Sequence, residues 1–287
     1  MVGRMQESAA RVEALRWGAA PARVRDLIGY GALVVAPHPD DEVLGCGALI
    51  AAVDRRDALD VVVVSDGSRS PPAAAGDPGL AATRRDESLR ALAILGVPEE
   101  NVRFLELPDG QVAAHAARLD AALHDAVTRV SATDVFVPFR FDRHPDHQAV
   151  QAAGVRLLRR AGIRLWEYFV YPYWRLLPGG DVRGHLRSGS LYALHAGDAA
   201  LDAKRSALEA YRSQTTPHAA GTARPVLGPE FLDRMCSTPE TFLRYEVVRP
   251  GPAVLRGTRW WFELVRRLEP PLKRAMDGLR EPGSGGR

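Results

Sequence analysis

The chain has 287 residues, 46% hydrophobic and 25% charged, which suits a globular protein with a sizeable core and excludes a wholly disordered chain. Its 38 basic and 35 acidic residues leave a net charge of +3, too balanced to argue for a nucleic-acid partner. Two cysteines, Cys46 and Cys236, exclude a disulfide scaffold or a four-thiolate metal site, and their apolar company predicts buried core residues.

Residues 5–28 carry apolar positions at helical spacing and predict an amphipathic N-terminal extension over 1–28. With Glu7 and Glu13 and no apolar stretch, the first twenty residues do not read as a secretory signal. No apolar run approaches the ~18 residues of a membrane span, so the expected location is cytoplasmic. GALVVAP, from Gly31, is a short β-branched run bounded by Gly and Pro and predicts a buried strand. A helix (EVLGCGALIAAVDRR), a second buried strand (LDVVVVS) and a loop (DGSRSPPAAAGDPG) follow. LAATRRDESLRALAILGV predicts a helix closed by Gly96 and Pro98.

NVRFLEL, TDVFVPF and IRLWEYFV read as further strands, separated by the helical stretches AARLDAALHDAVTRV and DHQAVQAAGVRLLRRAG. Beyond Tyr171 the pattern is less regular, with a strand at SLYALHA, a helix at LDAKRSALEAYRSQ and a late strand at TFLRYEVV. Strands alternating with helices imply crossover units. The expected fold is therefore α/β, a Rossmann-like three-layer sandwich around a mostly parallel sheet, in one domain over 29–250. Residues 251–287 hold Trp260, Trp261 and Phe262 among several Arg and Lys, ending in GSGGR. They predict a basic aromatic helix with a flexible tail, packed on the domain or offered to an anionic membrane surface or another subunit.

The densest chemical signal is Pro37-His38-Pro39-Asp40-Asp41-Glu42, directly after the first buried strand. Alone it reads as a solvated acidic turn that caps the next helix. A second cluster, Arg143-His144-Pro145-Asp146-His147, follows TDVFVPF and again opens a helix. In an open parallel sheet, ligands gather at the carboxyl ends of strands. If the two strands are neighbours, His38, Asp41 and His147 converge as a two-His, one-carboxylate set with a position left for water, the arrangement of a catalytic metal. Zn²⁺ suits such donors, and Fe²⁺ or Co²⁺ would fit them too.

PHPDDEVLGCGALIA together with the later HPDH resembles the PIG-L/LmbE-like superfamily of zinc-dependent N-deacetylases, with similar element order from about Gly31 to Val248. The resemblance implies His38, Asp41 and His147 as metal ligands and Asp40 as general base. It implies His144 as the oxyanion-stabilising donor, best protonated, with Asp146 as its orienting partner. Glu42 is expected to support its helix. Ser65-Asp66-Gly67 matches a family turn that edges the pocket. Arg84, in an Arg-x-x-Glu pair with Glu87, matches a substrate-binding Arg, against the alternative of an exposed helix ion pair. Asp109, in Leu-Pro-Asp-Gly, matches a hydroxyl-binding Asp or is a plain turn. Arg140 and Arg143 would clamp an acidic substrate or pair with nearby carboxylates. Tyr211 stands where relatives usually carry His. The implied activity is hydrolysis of the N-acetyl group of a small-molecule amino-sugar conjugate, such as a GlcNAc derivative. The alternatives are a deacylase of a non-sugar N-acyl metabolite or antibiotic intermediate, and a non-catalytic binding protein of the same fold.

Overall fold

A computed structural model describes residues 19–70, 76–140, 142, 144–170, 191–217, 225–237 and 239–245. The chain divides after Tyr245 into two units, and every described residue lies in the first. The expected helix and tail at 251–287, most of the N-terminal extension, and Arg143 therefore lie outside the described residues.

Eight strands form one sheet: β1 (Ala20–Ala22), β2 (Gly31–Ala36), β3 (Leu59–Ser65), β4 (Val102–Leu107), β5 (Ala132–Pro138), β6 (Arg164–Tyr168), β7 (Leu191–Leu194) and β8 (Glu240–Arg244). Their order is β1-β7-β8-β6-β5-β2-β3-β4, and β8 alone runs antiparallel, to both β6 and β7. The chain winds outward from β2 through β3 to β4, then returns to place β5 on the other side of β2. That reversal opens a crevice at the carboxyl ends of β2 and β5, where doubly wound sheets bind ligands.

Both β2 and β3 are buried on each face, which is why they read as continuous apolar runs. Alternation along β2 sends Val34 and Ala36 into one core and Leu33 and Val35 into the other. The first core packs under α2 (Asp41–Ala52), α3 (Pro78–Ile94), α6 (Asp198–Glu209) and α8 (Pro229–Ser237); the second packs under α4 (Ala116–Arg129) and α5 (Pro145–Ala161). Two short helices, α1 (Val24–Leu27) and α7 (Arg212–Thr215), complete the described α-helices. Cys46 and Cys236 are buried free thiols. Among the described residues no helix is long and apolar enough to cross a membrane.

The N-terminal helical expectation needs correction at its described end. Ala20–Ala22 is an edge strand paired with Tyr192–Leu194 of β7. Pro21 explains the change, because proline breaks a helix interior but is tolerated on a sheet edge. The sequence reading also missed α8, although Pro229 and Glu230 in its first turn are ordinary start signals.

Arg140 is held by Glu167 through two hydrogen bonds from Nε, 2.8 and 3.0 Å, so it is committed to a carboxylate and not offered to a ligand. Burial pushes the Glu167 carboxyl up to about 7, and Arg140 and Gln151 only partly oppose it. The folded protein thus binds this proton more tightly than the unfolded chain. Stability is full below the unfolded value near 4.5 and falls as pH rises toward 7, by about 3 kcal/mol. Glu167→Gln removes this slope. Urea unfolding at pH 5 and pH 8 is expected to show wild type losing stability relative to the variant at the higher pH; a pH-independent difference contradicts the assignment.

Candidate metal centre

Four strand ends build the site. His38, Asp40 and Asp41 follow β2, Asp66 follows β3, Asp109 follows β4, and Asp142, His144, Asp146 and His147 follow β5. Pro145 begins α5 and Asp41 begins α2, so each His-Pro-Asp turn is clamped by the helix it opens.

Three donor atoms form a nearly equilateral triangle. His38 Nδ1 lies 3.1 Å from Asp41 Oδ2, His147 Nε2 lies 3.1 Å from the same oxygen, and the two nitrogens are 3.3 Å apart. Donors of a tetrahedral zinc site with ~2.0–2.1 Å bonds are spaced by about 3.3 Å. The outer nitrogen of each histidine faces a carboxylate: His147 Nδ1 lies 3.0 Å from Asp142, and His38 Nε2 lies 3.2 Å from Asp146 and 3.4 Å from Asp109. Carboxylates at the outer nitrogens can hold a proton there when a metal takes the inner ones, the tautomer that binds a metal. Asp41 Oδ1 is buried without a hydrogen-bond partner among the described residues. An acceptor so placed is costly unless a cation completes it, and these residues therefore fit a divalent metal. Ligand atoms of His38, His144 and His147 lie within 4.8 Å of one another, as do those of His38, Asp109, His144 and Asp146.

The electrostatics follow from the crowding. Burial alone would raise Asp41, but facing His147 and His38 hold it well below the ordinary carboxylate range. Burial would lower His147, yet Asp41 and Asp142 lift it to about 9. Asp109 also resists its burial, because His38 beside it brings it down to about 2. Both histidines are thus held for a positive partner, whether proton or metal. Asp142→Ala, which removes a support and leaves every ligand in place, is expected to weaken metal affinity by about 10–100-fold in a chelator-competition titration; unchanged affinity contradicts the role.

Asp40 sits beside this triangle at φ 118°, a left-handed conformation that costs a non-glycine residue about 1–3 kcal/mol. The neighbours over-determine it. Its amide donates to Glu42 Oε2 at 3.0 Å, Arg84 Nη2 donates to its Oδ2 at 3.0 Å, and the same guanidinium reaches Pro39 O and Gly67 O. Burial, only partly opposed by Arg84, raises Asp40 to about 7. Glu42 is in turn held by Ser88 and by the Tyr211 hydroxyl.

Several expectations change here. Arg84 is 3% exposed and holds Asp40 in place, so it is neither an exposed ion pair with Glu87 nor open to a substrate. Glu87 instead accepts from the Ser213 amide and hydroxyl. The Asp146 carboxylate accepts from the Gly110 and Val112 amides and faces His38, so it orients His38 and not the His144 ring. His144 Nδ1 accepts from the Asp146 amide at 3.3 Å, which leaves the ring proton on Nε2. Burial, reinforced by His38 and His147, lowers the His144 pKa, against the expected protonated form; a neutral ring still donates through Nε2. Asp109 joins His38 and accepts from the Arg69 amide at 3.0 Å. The sequence reading missed Asp142 and the support that Glu42 gives Asp40. An acidic residue five positions before a ligand histidine was the available signal for the first.

Residues 33–158 match the PIG-L family model, described as GlcNAc-PI de-N-acetylase. An uncharacterized deacetylase, YaiS, of Escherichia coli strain K12 is 32% identical over 130 residues, 44% of this chain and 66% of the relative. The match thus spans about two thirds of that relative's length. The conserved protein TT1542 of Thermus thermophilus superposes with a TM-score of 0.54 at 26% identity, covering 78% of this chain and 98% of the other. The zinc-inhibited form of the teicoplanin deacetylase Orf2 has the same TM-score at 18% identity, covering 79% and 100%, a likeness of fold.

Proposed function

We propose that this chain, which carries a PIG-L family domain across residues 33–158, is a metal-dependent hydrolase that removes the N-acetyl group from an amino sugar or a GlcNAc-containing conjugate. The observation that carries the reading is the triangle of His38, Asp41 and His147 donors, 3.1–3.3 Å on a side, with Asp40 next to it. These three residues would hold the metal, with Zn²⁺ the ion best suited to two imidazoles and a carboxylate. Such an ion supplies Lewis-acid polarisation of the amide carbonyl and makes water more acidic.

The chain's own groups supply the rest. Asp40, at about 7, is poised to take a proton from the attacking water and return it to the departing nitrogen. Water and amide thereby become acetate and a free amine, with no other reactant consumed. His144 Nε2–H donates to the oxygen that gains charge as the carbonyl is attacked. Asp142, Asp146 and Asp109 orient the ligand histidines, while Arg84 and Glu42 fix Asp40.

The test is release of amine and acetate from a panel of N-acetylglucosamine conjugates by metal-quantified protein. Release that stops with chelator and returns with Zn²⁺ is expected. A metal-loaded protein inert on every member overturns the substrate assignment, and release unaffected by chelator overturns the metal role.

A further inference from the structure

We infer that a cavity of about 550 Å³ between the first turns of α3 and the ends of β3 and β4 receives an uncharged, apolar substituent of the substrate. The inference rests on the amide hydrolysis proposed above and adds which part of the substrate lies outside the reacting centre. Pro39, Pro78, Ala81, Ala82 and Phe104 give the cavity its apolar walls. Ser65 also lines it, and the Ser65 hydroxyl is buried without a hydrogen-bond partner among the described residues.

Charge disfavours an anionic substituent. Asp66, Asp77 and Glu106 face a single Arg85 around the cavity. Each is already engaged: Asp66 accepts from the Ser68 and Asp109 amides, Asp77 from the Gly79 amide, and Glu106 from Arg85 at 3.0 Å. The Arg85 guanidinium also lies 4.3 Å from the Phe104 ring centre. Three carboxylates against one paired cation disfavour a phosphate or carboxylate, and no other cation lines the cavity among the described residues.

Two features tie the cavity to the metal centre. Pro39 belongs to the turn that carries His38, Asp40 and Asp41. Asp66 holds the amide of Asp109, whose carboxylate is 3.4 Å from His38. The outer wall has a shape of its own: Glu106 adopts φ 50°, and the β3–β4 register slips between Val63 and Ser65, a bulge that aims Glu106 across to Arg85.

An apolar substituent can come from the glycosidic side or from an acyl chain longer than acetyl, and two substrate series separate these. One compares methyl with phenyl and hexyl glycosides of N-acetylglucosamine; the other compares N-acetyl with N-hexanoyl on the methyl glycoside. In one series the apolar member is expected to gain about tenfold or more in kcat/KM, chiefly through KM. Ala82→Phe, at an exposed helix position lining the cavity, should abolish that gain while leaving the methyl N-acetyl substrate within about twofold of wild type. Equal kcat/KM across both series, or a gain that survives Ala82→Phe, overturns the subsite. If no member is hydrolysed the proposed reaction fails, and the cavity is then read by saturation-transfer NMR with phenyl and hexyl β-D-glucosaminides. Contact of the aryl or alkyl protons with wild type but not with Ala82→Phe supports the subsite, and equal contact overturns it.

Discussion

Asp40→Asn is expected to lower amine release by about 10²–10⁴-fold while the protein keeps its metal. The substitution keeps the side chain's size and removes its ability to take up a proton, together with the negative charge that faces Arg84. Asp41, the adjacent carboxylate, faces His38 and His147, so in the proposed reaction the two neighbours divide the work between base and ligand. The loss should fall on kcat with little change in KM, because Asp40 is assigned to proton transfer and not to holding the substrate. The neutral amide also leaves Arg84 without its anionic partner, so a melting curve must first establish that the variant is folded at the assay temperature. A folded, metal-loaded Asp40→Asn protein with turnover within about threefold of wild type would remove Asp40 as the base.

The largest expected effect on stability comes from Lys204, remote from the chemistry. Lys204 and Glu240 form an ion pair at 2.7 Å with both side chains at most 3% exposed. Glu240 also accepts from the Ala48 and Leu49 amides, and Lys204 donates to Leu44 O, so the pair is wedged against the backbone ladder of α2. Gly47 makes the approach possible, since a Cβ there would lie 2.8 Å from Lys204 Cγ. Lys204→Met leaves a buried carboxylate without its cation and is expected to cost about 3–5 kcal/mol in urea unfolding. Adding Glu240→Gln should recover part of that loss, because the neutral side chain removes the unpaired charge. A cost below about 1 kcal/mol for Lys204→Met would mean that the charges are solvated and the pair contributes little.

Fold and site were legible to different depths. β2 and β3 stood out because burial on both faces leaves uninterrupted apolar runs, and α3 and α5 because their helical stretches end in glycine; their first residues, Pro78-Gly79 and Pro145, were left outside the predicted helices. β1 was hidden, since three edge residues around Pro21 carry no pattern of their own. The convergence of His38, Asp41 and His147 was readable because two His-Pro-Asp turns at strand ends bring their own chemistry. Side-chain direction was not readable. Asp146 stands two residues from His144, yet its carboxylate serves His38, 108 positions away. Arg84 and Glu87 share a helix face, yet one turns to Asp40 and the other to Ser213. Such choices are set by which strands meet across the crevice, and local spacing does not record that.

The most direct test of the account is a metal titration of wild type beside His147→Ala, read by calorimetry and by elemental analysis of the dialysed proteins. The account predicts one tightly bound divalent ion per wild-type chain and its loss in the variant, which removes a fully buried corner of the triangle. Equal metal content in the two proteins, or none in a folded wild type, would contradict it.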